Sequence, residues 1–350
     1  MPNTPYLHVD LERLDRNILR AAEWASTNDL TLRPHAKTHK SPRIARRQIS
    51  AGAVGLTVAT IGEAEVFAES GVTDLFVAYP LHVDDQAAGR LGALAYKARV
   101  AIGVDSVEGA TQAGRMVGRY GVEVVIEVDS GHHRSGCRPT EAGPIATAAT
   151  NSGSTVRGVF TFPGHSYARD GGVTAAVDEA RALSIARAAV EDTGIEVAVV
   201  SGGSTPSLGH TRTETITEAR PGVYVFGDAQ QWELGVMDSR DIALTCRATV
   251  VSHAGGRAVL DSGGKVLAAD RAAFNTGGGR LLDHPDARIT LVSEHHAVVD
   301  MGEAPLPPLG SQVAVVPNHC CAAVNLAEYL WVDEKGGMRP WAVAARGRNS

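Results

Sequence analysis

From Arg99 to Asp129 the chain reads RVAIGVDSVEGATQAGRMVGRYGVEVVIEVD. Arg99–Asp105 is a β-branched run, Ser106–Gly118 is rich in small helix-compatible residues, and Val122–Asp129 returns to valine and isoleucine. A strand, a helix and a second strand in so short a space make a βα unit of a parallel sheet. The alternation extends to both sides. Strand-like runs stand at Leu30–Arg33, Gly55–Thr60, Asp74–Ala78, Val156–Thr161, Glu196–Ser201 and Gly222–Phe226. Helix-like stretches lie between them at Ser41–Ala51, Ile61–Ser70, Asp84–Lys97 and Thr174–Thr193. Eight strand-like runs in succession fit a (β/α)8 TIM-type barrel in number and spacing. A doubly wound open sheet shares the periodicity, which does not show closure; the barrel is the reading adopted. Beyond Gly235 the pattern changes to strands separated by Gly, Pro and Asp turns, at Asp241–Ser252, Arg257–Asp261, Arg288–Val292, Gln312–Val316, Tyr329–Val332 and Met338–Ala345. The expected organisation is α/β: a barrel over residues 8–236, then a smaller all-β domain over 237–350.

Composition narrows the function. The 33 Lys and Arg against 39 Asp and Glu leave a formal charge of −6, which gives nucleic acid or an anionic membrane no electrostatic purchase. No apolar run approaches a spanning helix, and the start Met1-Pro2-Asn3-Thr4-Pro5 lacks a signal-peptide pattern. Four cysteines are too few for a disulfide framework, so a cytoplasmic protein is expected. Only five residues are lysine: Lys37, Lys40, Lys97, Lys265 and Lys335. Any amine nucleophile comes from that short set.

In a βα barrel the chemistry gathers at the C-terminal ends of the strands. The first strand runs into Arg33-Pro34-His35-Ala36-Lys37-Thr38-His39-Lys40. A lysine there is desolvated, and its neutral amine is the species that forms Schiff bases; ion pairing is the bland alternative. The fifth strand runs into Asp129-Ser130-Gly131-His132-His133-Arg134, the sixth into Phe162-Pro163-Gly164-His165-Ser166-Tyr167. Arg134 either faces a ring nitrogen, which it leaves unprotonated, or pairs with Glu127 or Asp129. Ser201-Gly202-Gly203-Ser204-Thr205 suits a phosphate, with Gly222 and Tyr224 able to complete the cradle. Late in the chain, Pro317-Asn318-His319-Cys320-Cys321 carries a His-x-Cys pair. On an extended segment His319 and Cys321 share one face and suit Zn2+; two buried packing cysteines are the alternative. His295 and His296 read as loop residues. The pairs His132/His133 and His35/His39 receive no metal.

Together, the Arg33-to-Lys40 run, the Gly-Ser-Thr-Pro-Ser segment (203–207) and Pro-Asn-His-x-Cys (317–321) resemble the D-serine dehydratase/D-threonine aldolase family. These are fold-type III, alanine racemase-like pyridoxal-phosphate enzymes. Val77-Ala78-Tyr79-Pro80, Gly164-His165-Ser166-Tyr167 and Arg220-Pro-Gly-Val-Tyr-Val-Phe-Gly-Asp228 match in kind. The resemblance implies that Lys37 carries pyridoxal 5'-phosphate, Arg134 faces its ring nitrogen, and Tyr167 lies near the ring. It puts Gly203, Ser204, Thr205 and Tyr224 around the phosphate. His319 and Cys321 would hold a divalent metal, Zn2+ first and Mn2+ or Mg2+ as alternatives. A homodimer is implied, and residues 1–7 would join the β domain. The aldolases of the family have Asp where Cys321 stands and a histidine where Pro163 stands. Both differences favour β-elimination of water from a D-3-hydroxy amino acid, giving pyruvate and ammonia from D-serine. A D-threo-3-hydroxyaspartate dehydratase fits the same features. Retro-aldol cleavage to glycine and an aldehyde is the alternative reaction, and a pyridoxal-phosphate carrier is the non-enzyme alternative.

Overall fold

The computed structural model describes residues 2–350. The chain divides into two compact units. One comprises Arg20–Lys37, Ile44–Gly222 and Arg348–Ser350; the other comprises the chain up to Leu19, Thr38–Arg43 and Val223–Gly347. The first strand, β1 (Tyr6–Val9), belongs to the second unit, and helix α1 (Leu11–Thr27) contains the division near Leu19.

The first unit is built on eight parallel strands. They are β2 (Thr31–Leu32), β3 (Leu56–Val58), β4 (Asp74–Pro80), β5 (Arg99–Val104), β6 (Glu123–Glu127), β7 (Val156–Phe160), β8 (Val199–Gly202) and β9 (Glu218–Ala219). Helices α2 (Pro42–Ser50), α3 (Ile61–Glu69), α4 (Asp85–Ala95), α5 (Val107–Val117), α6 (Ala142–Asn151) and α7 (Gly171–Glu191) lie between strands in sequence. Several begin where a short polar side chain caps them: Thr60, Asp84 and Ser106 accept from Glu63, Ala87 and Gly109 backbone N–H groups. The sheet runs β2-β9-β8-β7-β6-β5-β4-β3. Its two edges meet, because Val54 N–H donates to Leu32 O, Thr57 N–H donates to Pro34 O, and His35 and Thr57 form a parallel bridge. The expected barrel is present, closed by this short seam.

Inside it, Phe76, Ala101, Val125 and Phe160 from β4 to β7 form a buried cluster, with the two phenyl rings edge to face at 4.9 Å. Near the N-terminal ends of the strands lies an ion-pair network. Arg33, 1% exposed, reaches Glu218 at 2.6 Å and Asp74 at 2.7 Å; Arg157 reaches the same Asp74 at 3.2 Å. One boundary differs from the sequence reading. The eighth strand is Glu218–Ala219, and the expected run Gly222–Phe226 instead holds a 3-10 turn, Val223–Val225. Arg220 N–H makes the last ladder bond, to Gly202 O, and Pro221 has no N–H with which to continue it.

The second unit is a nine-stranded, mostly antiparallel sheet. Its further strands are β10 (Leu244–Ser252), β11 (Ala258–Leu260), β12 (Arg280–Leu281), β13 (Arg288–Val292), β14 (Ala297–Asp300), β15 (Gln312–Val316), β16 (Tyr329–Glu334) and β17 (Gly337–Ala342). The order is β13-β14-β11-β10-β1-β16-β17, with β15 joining β10 to β12. The N-terminal strand therefore lies inside this sheet, antiparallel to β10 and parallel to β16. Short helices α8 (Ala229–Glu233), α9 (Gly264–Leu267) and α10 (Cys320–Leu326) interrupt the strands. The last corrects the extended reading of residues 319–321: His319 alone is extended, at φ −133°, and the helix begins at Cys320. The helix has seven residues, about two turns, too short for its periodicity to show in sequence.

Candidate active site

Because the barrel strands are parallel, the loops after β6, β7, β8, β9 and β2 open on one end, in that spatial order. Phe162, just beyond β7, is the point on which several polar groups converge. Lys37, in the short 3-10 turn Ala36–Thr38, places Nζ 5.6 Å from the centre of the Phe162 ring. The Arg134 guanidinium lies 5.2 Å from the same centre, and the His132 ring stands edge to face at 5.4 Å. The Tyr167 ring is 6.3 Å away. Sequence reading gave Phe162 no role, since only its position after a strand set it apart.

The charges around this ring are unequal in character. Arg134 is half-exposed, and its Nη2 lies 3.7 Å from Oε1 of buried Glu127. Burial raises the Glu127 carboxyl above its ordinary value, although Ser135, donating at 2.9 Å, and Arg134 oppose it. Burial also opposes ionisation of Asp129. Hydrogen bonds from the Gly131 and His133 backbone and the His133 ring outweigh it and keep that carboxyl below the ordinary range.

After β8, Gly203 adopts φ +79°, a left-handed conformation suited to glycine. Its N–H donates to Oε1 of Glu179 on α7 at 2.7 Å. Glu179 is 1% exposed, and burial pushes its carboxyl up to about 7. Ser204 and Thr205 are both buried, and Ser204 Oγ lies 2.8 Å from Ser166 Oγ and 2.8 Å from Ser207 Oγ. Gly222 follows Pro221, whose carbonyl accepts from His35 N–H, so the loops after β9 and β2 are tied together. An amine after β2 and buried hydroxyls beside a left-handed glycine after β8, with β9 between the two strands, suit the aldehyde and phosphate ends of pyridoxal phosphate. Lys37, Arg134, Tyr167, Gly203, Ser204, Thr205 and Gly222 all belong to this unit. Tyr224, buried in the Val223–Val225 turn, belongs to the other.

Arg220 went unassigned in the sequence, although the Arg-Pro-Gly run that contains it was visible. It is buried, with Cζ 5.1 Å from the Phe160 ring centre and 5.7 Å from that of Phe76. Its Nε donates to Ser201 Oγ at 2.8 Å, and its Nη2 donates to the Thr161 carbonyl. Among the described residues no carboxylate forms an ion pair with it. A desolvated guanidinium held this way keeps its proton and favours an anionic or lone-pair partner.

In the second unit His319 precedes α10 and Cys321 lies in its first turn. His319 Nδ1 is 2.5 Å from Oδ2 of Asp270, and the imidazole also hydrogen-bonds with the Cys321 side chain. Burial alone would lower the His319 pKa; the Cys321 sulfur and Asp270 outweigh it and raise it. Cys321 Sγ is 3.4 Å from Oγ1 of Thr38, the residue covalently next to Lys37. Behind the pair, Asp228 accepts from the N–H groups of Gln231 and Cys320, and burial pushes its carboxyl up to about 6. Cys320 is fully buried, and none of the four cysteines is in a disulfide. No group of three or more His, Cys, Asp or Glu side chains among the described residues forms a metal cage. The donor set nevertheless fits a metal held by two protein ligands: a thiol–imidazole pair, with a carboxylate on the imidazole's other nitrogen to fix its tautomer. Asp270 was missed in the sequence because it lies 49 residues before His319. His295 and His296 are exposed in a loop. No helix among the described residues is long and apolar enough to cross a membrane.

Comparison with known proteins gives two family matches. The description "Alanine racemase, N-terminal domain" matches residues 9–230, and "Putative serine dehydratase domain" matches residues 243–332. The chain is 34% identical to a D-threo-3-hydroxyaspartate dehydratase of Delftia sp., over 97% of this chain and 96% of that one. The solved structure of that enzyme superposes with a TM-score of 0.90, over 98% of this chain and 97% of the other. Its solved forms include a metal-free cysteine-to-alanine variant and a histidine-to-alanine variant, at positions two residues apart. A D-threonine aldolase of Arthrobacter sp. is 29% identical over 99% of this chain and 93% of its own. The structure of a D-threonine aldolase from Filomicrobium marinum gives a TM-score of 0.86 at 30% identity, over 99% of this chain and 96% of that one.

Proposed function

The chain belongs to the alanine racemase N-terminal-domain family, a fold-type III lyase with a serine dehydratase-type second domain, and we propose that it eliminates water from a D-3-hydroxy amino acid. The observation that carries this reading is the His319–Cys321 pair with Asp270 behind it. A soft thiolate and an imidazole make a Lewis-acid site for a leaving hydroxyl. The same two-residue spacing in the altered positions of the Delftia enzyme, and the metal-free form named there, support it. D-serine and D-threo-3-hydroxyaspartate are both substrates in this reading. The metal is taken as Zn2+, the protein as a cytoplasmic homodimer.

Pyridoxal phosphate, when bound, would supply an electron sink, and a bound metal would polarise the substrate's β-oxygen. Everything else is the work of the chain. Lys37 would be the anchoring amine and the base that takes the α-proton, and its Nζ stands 5.6 Å from the centre of the Phe162 ring. Ser204, Thr205 and Gly222 would hold the phosphate, and Tyr224 is proposed as a further contact. Gly203 shapes the turn, and its own N–H stays with Glu179. Tyr167 borders the ring. Arg134 would supply a permanent donor to the ring nitrogen from the mouth, and Arg220 a second from the barrel interior. Neither guanidinium can give up a proton, so neither would protonate the ring.

Two measurements test this. The purified chain is expected to show the near-visible absorbance of a lysine-bound cofactor, lost in Lys37→Ala; persistence in that variant sinks the cofactor assignment. D-serine is expected to give pyruvate and ammonia in a chelator-sensitive way. Glycine and an aldehyde as the main products from D-threonine would overturn the choice of elimination.

A further inference from the structure

We infer that Glu179 is a positioning residue for the cofactor's phosphate group, and that seating this group takes up a proton at its carboxyl. The inference rests on the pyridoxal-phosphate reading above. Glu179 stands on α7, 1% exposed, and its Oε1 accepts the Gly203 N–H at 2.7 Å. A Cβ on Gly202 would lie 2.5 Å from the same oxygen and 2.8 Å from Cδ. Glycine there lets the carboxyl lie against the backbone of two consecutive loop residues. The next two residues, Ser204 and Thr205, are those proposed to hold the phosphate. The segment from Ser201 to Ser207 contains no lysine or arginine. An ionised Glu179 would thus put a second anion beside the phosphate in a buried setting, with no cation of the loop to offset the repulsion.

The surrounding charges leave this opposition in place. Arg220, after β9, acts on Glu179, but its Nε and Nη2 are committed to Ser201 Oγ and the Thr161 carbonyl. Glu218 on β9 is held by Arg33 at 2.6 Å and by Ser201 Oγ, which donates at 2.7 Å. Of the groups near α7, Asp178 lies 3.3 Å from the His165 ring, and His210 packs against Gly172 at the helix start. Glu141 accepts from the Arg138 N–H, and Arg157 on β7 pairs with Asp74. Burial pushes the Glu179 carboxyl up to about 7, against the smaller pull of the Gly203 N–H and Arg220. Near neutrality the carboxyl therefore stands close to the balance between its two forms. Protonation removes the charge and leaves an oxygen to accept from Gly203, so the loop keeps its shape. By reciprocity, a phosphate that favours the protonated carboxyl is itself bound better by it. The phosphate's share of the affinity is then highest at low pH and falls as pH rises through the carboxyl's raised value.

The test uses the whole chain, stripped of cofactor and titrated with pyridoxal 5'-phosphate and with pyridoxal, which lacks the phosphate. The ratio of the two dissociation constants isolates the phosphate's share, because bonding to Lys37 is common to both. Relative to Glu179→Gln, this share is expected to fall about 10-fold in the wild type between about pH 5.5 and about pH 8.5. Calorimetry in buffers of different ionisation enthalpy is expected to show about half a proton more taken up by the wild type than by the variant near pH 7.5. In the wild type alone, the isotope-labelled Glu179 carboxyl carbon is expected to titrate about one pH unit higher with cofactor than without. A residue that merely braced the loop would change affinity equally at every pH. The same pH dependence in wild type and Glu179→Gln overturns the inference, as does a carboxyl midpoint unmoved by cofactor. A wild type that binds neither compound, with no near-visible absorbance, refutes the cofactor reading itself.

Discussion

Glu179→Gln offers a quantitative test of how the candidate phosphate loop is held. Glu179 is buried beneath the loop and accepts the Gly203 N–H at 2.7 Å. Its carboxyl titrates at about 7 in the folded chain, against an ordinary 4.5. The folded state thus binds this proton more tightly than the unfolded one. The stabilising contribution is complete below pH 4.5 and disappears as pH rises through about 7. Each pH unit in that window costs about 1.4 kcal/mol, or roughly 3 kcal/mol across it. Glutamine keeps an acceptor for Gly203 and carries no charge to bury. The variant should therefore match the wild type near pH 4.5 and exceed it above pH 8 by about 3 kcal/mol, some 6–12 °C in melting temperature for a unit of this size. Thermal melts of both proteins between pH 4.5 and 8.5 measure this difference directly, since titrations common to the two cancel. Melting curves that keep a constant separation over the whole range would refute the reasoning.

Two other predictions concern separate parts of the molecule. Asp74→Ala leaves the buried Arg33 and Arg157 short of a shared carboxylate, and a loss of about 3–5 kcal/mol is expected from urea unfolding; a loss under 1 kcal/mol would show that Glu218 suffices. Burial opposes ionisation of Asp74, but the two arginines outweigh it and hold its pKa low. Its contribution is therefore present at neutral pH and lost as pH falls through that lowered value. At the proposed metal pair, Asp270→Asn should weaken metal retention on dialysis about 10–100-fold, and Cys321→Ala should weaken it further, both read by elemental analysis. Retention unchanged in Cys321→Ala would remove that residue from the site.

The barrel was legible because its signal is repeated: each of eight runs alternates with a helix or long loop, and errors of a residue or two do not alter the count. Closure was not legible, since it depends on the bridge between His35 and Thr57, a contact without sequence periodicity. The eighth strand was misplaced because Val223-Tyr224-Val225 carries the stronger β propensity, whereas Glu218–Ala219 is a strand only by virtue of its neighbours β8 and β2. Lys37 and the Ser204–Thr205 loop were visible as unusual polar residues at strand ends. Phe162, Arg220, Glu179 and Asp270 were not, because each acts through partners distant in sequence. The fit of His132 against Gly164, where a Cβ would lie 2.5 Å from the imidazole, is a property of two adjacent strand-end loops that neither loop reveals alone.

The place of β1 in its sheet also bears on how the chain is made. Tyr6–Val9 leaves the ribosome roughly 320 residues before Tyr329, yet its hydrogen-bonding neighbours are β10 and β16, the latter beginning at Tyr329. At a synthesis rate of about 5–20 residues per second, roughly fifteen to sixty seconds separate the strand from its last partner. All eight barrel strands are complete by Ala219 and can close meanwhile. Strand β1 thus waits for both of its neighbours while the whole barrel is made, with an apolar edge exposed meanwhile. Slowing the ribosome late in the message should lower the soluble yield more than slowing it early.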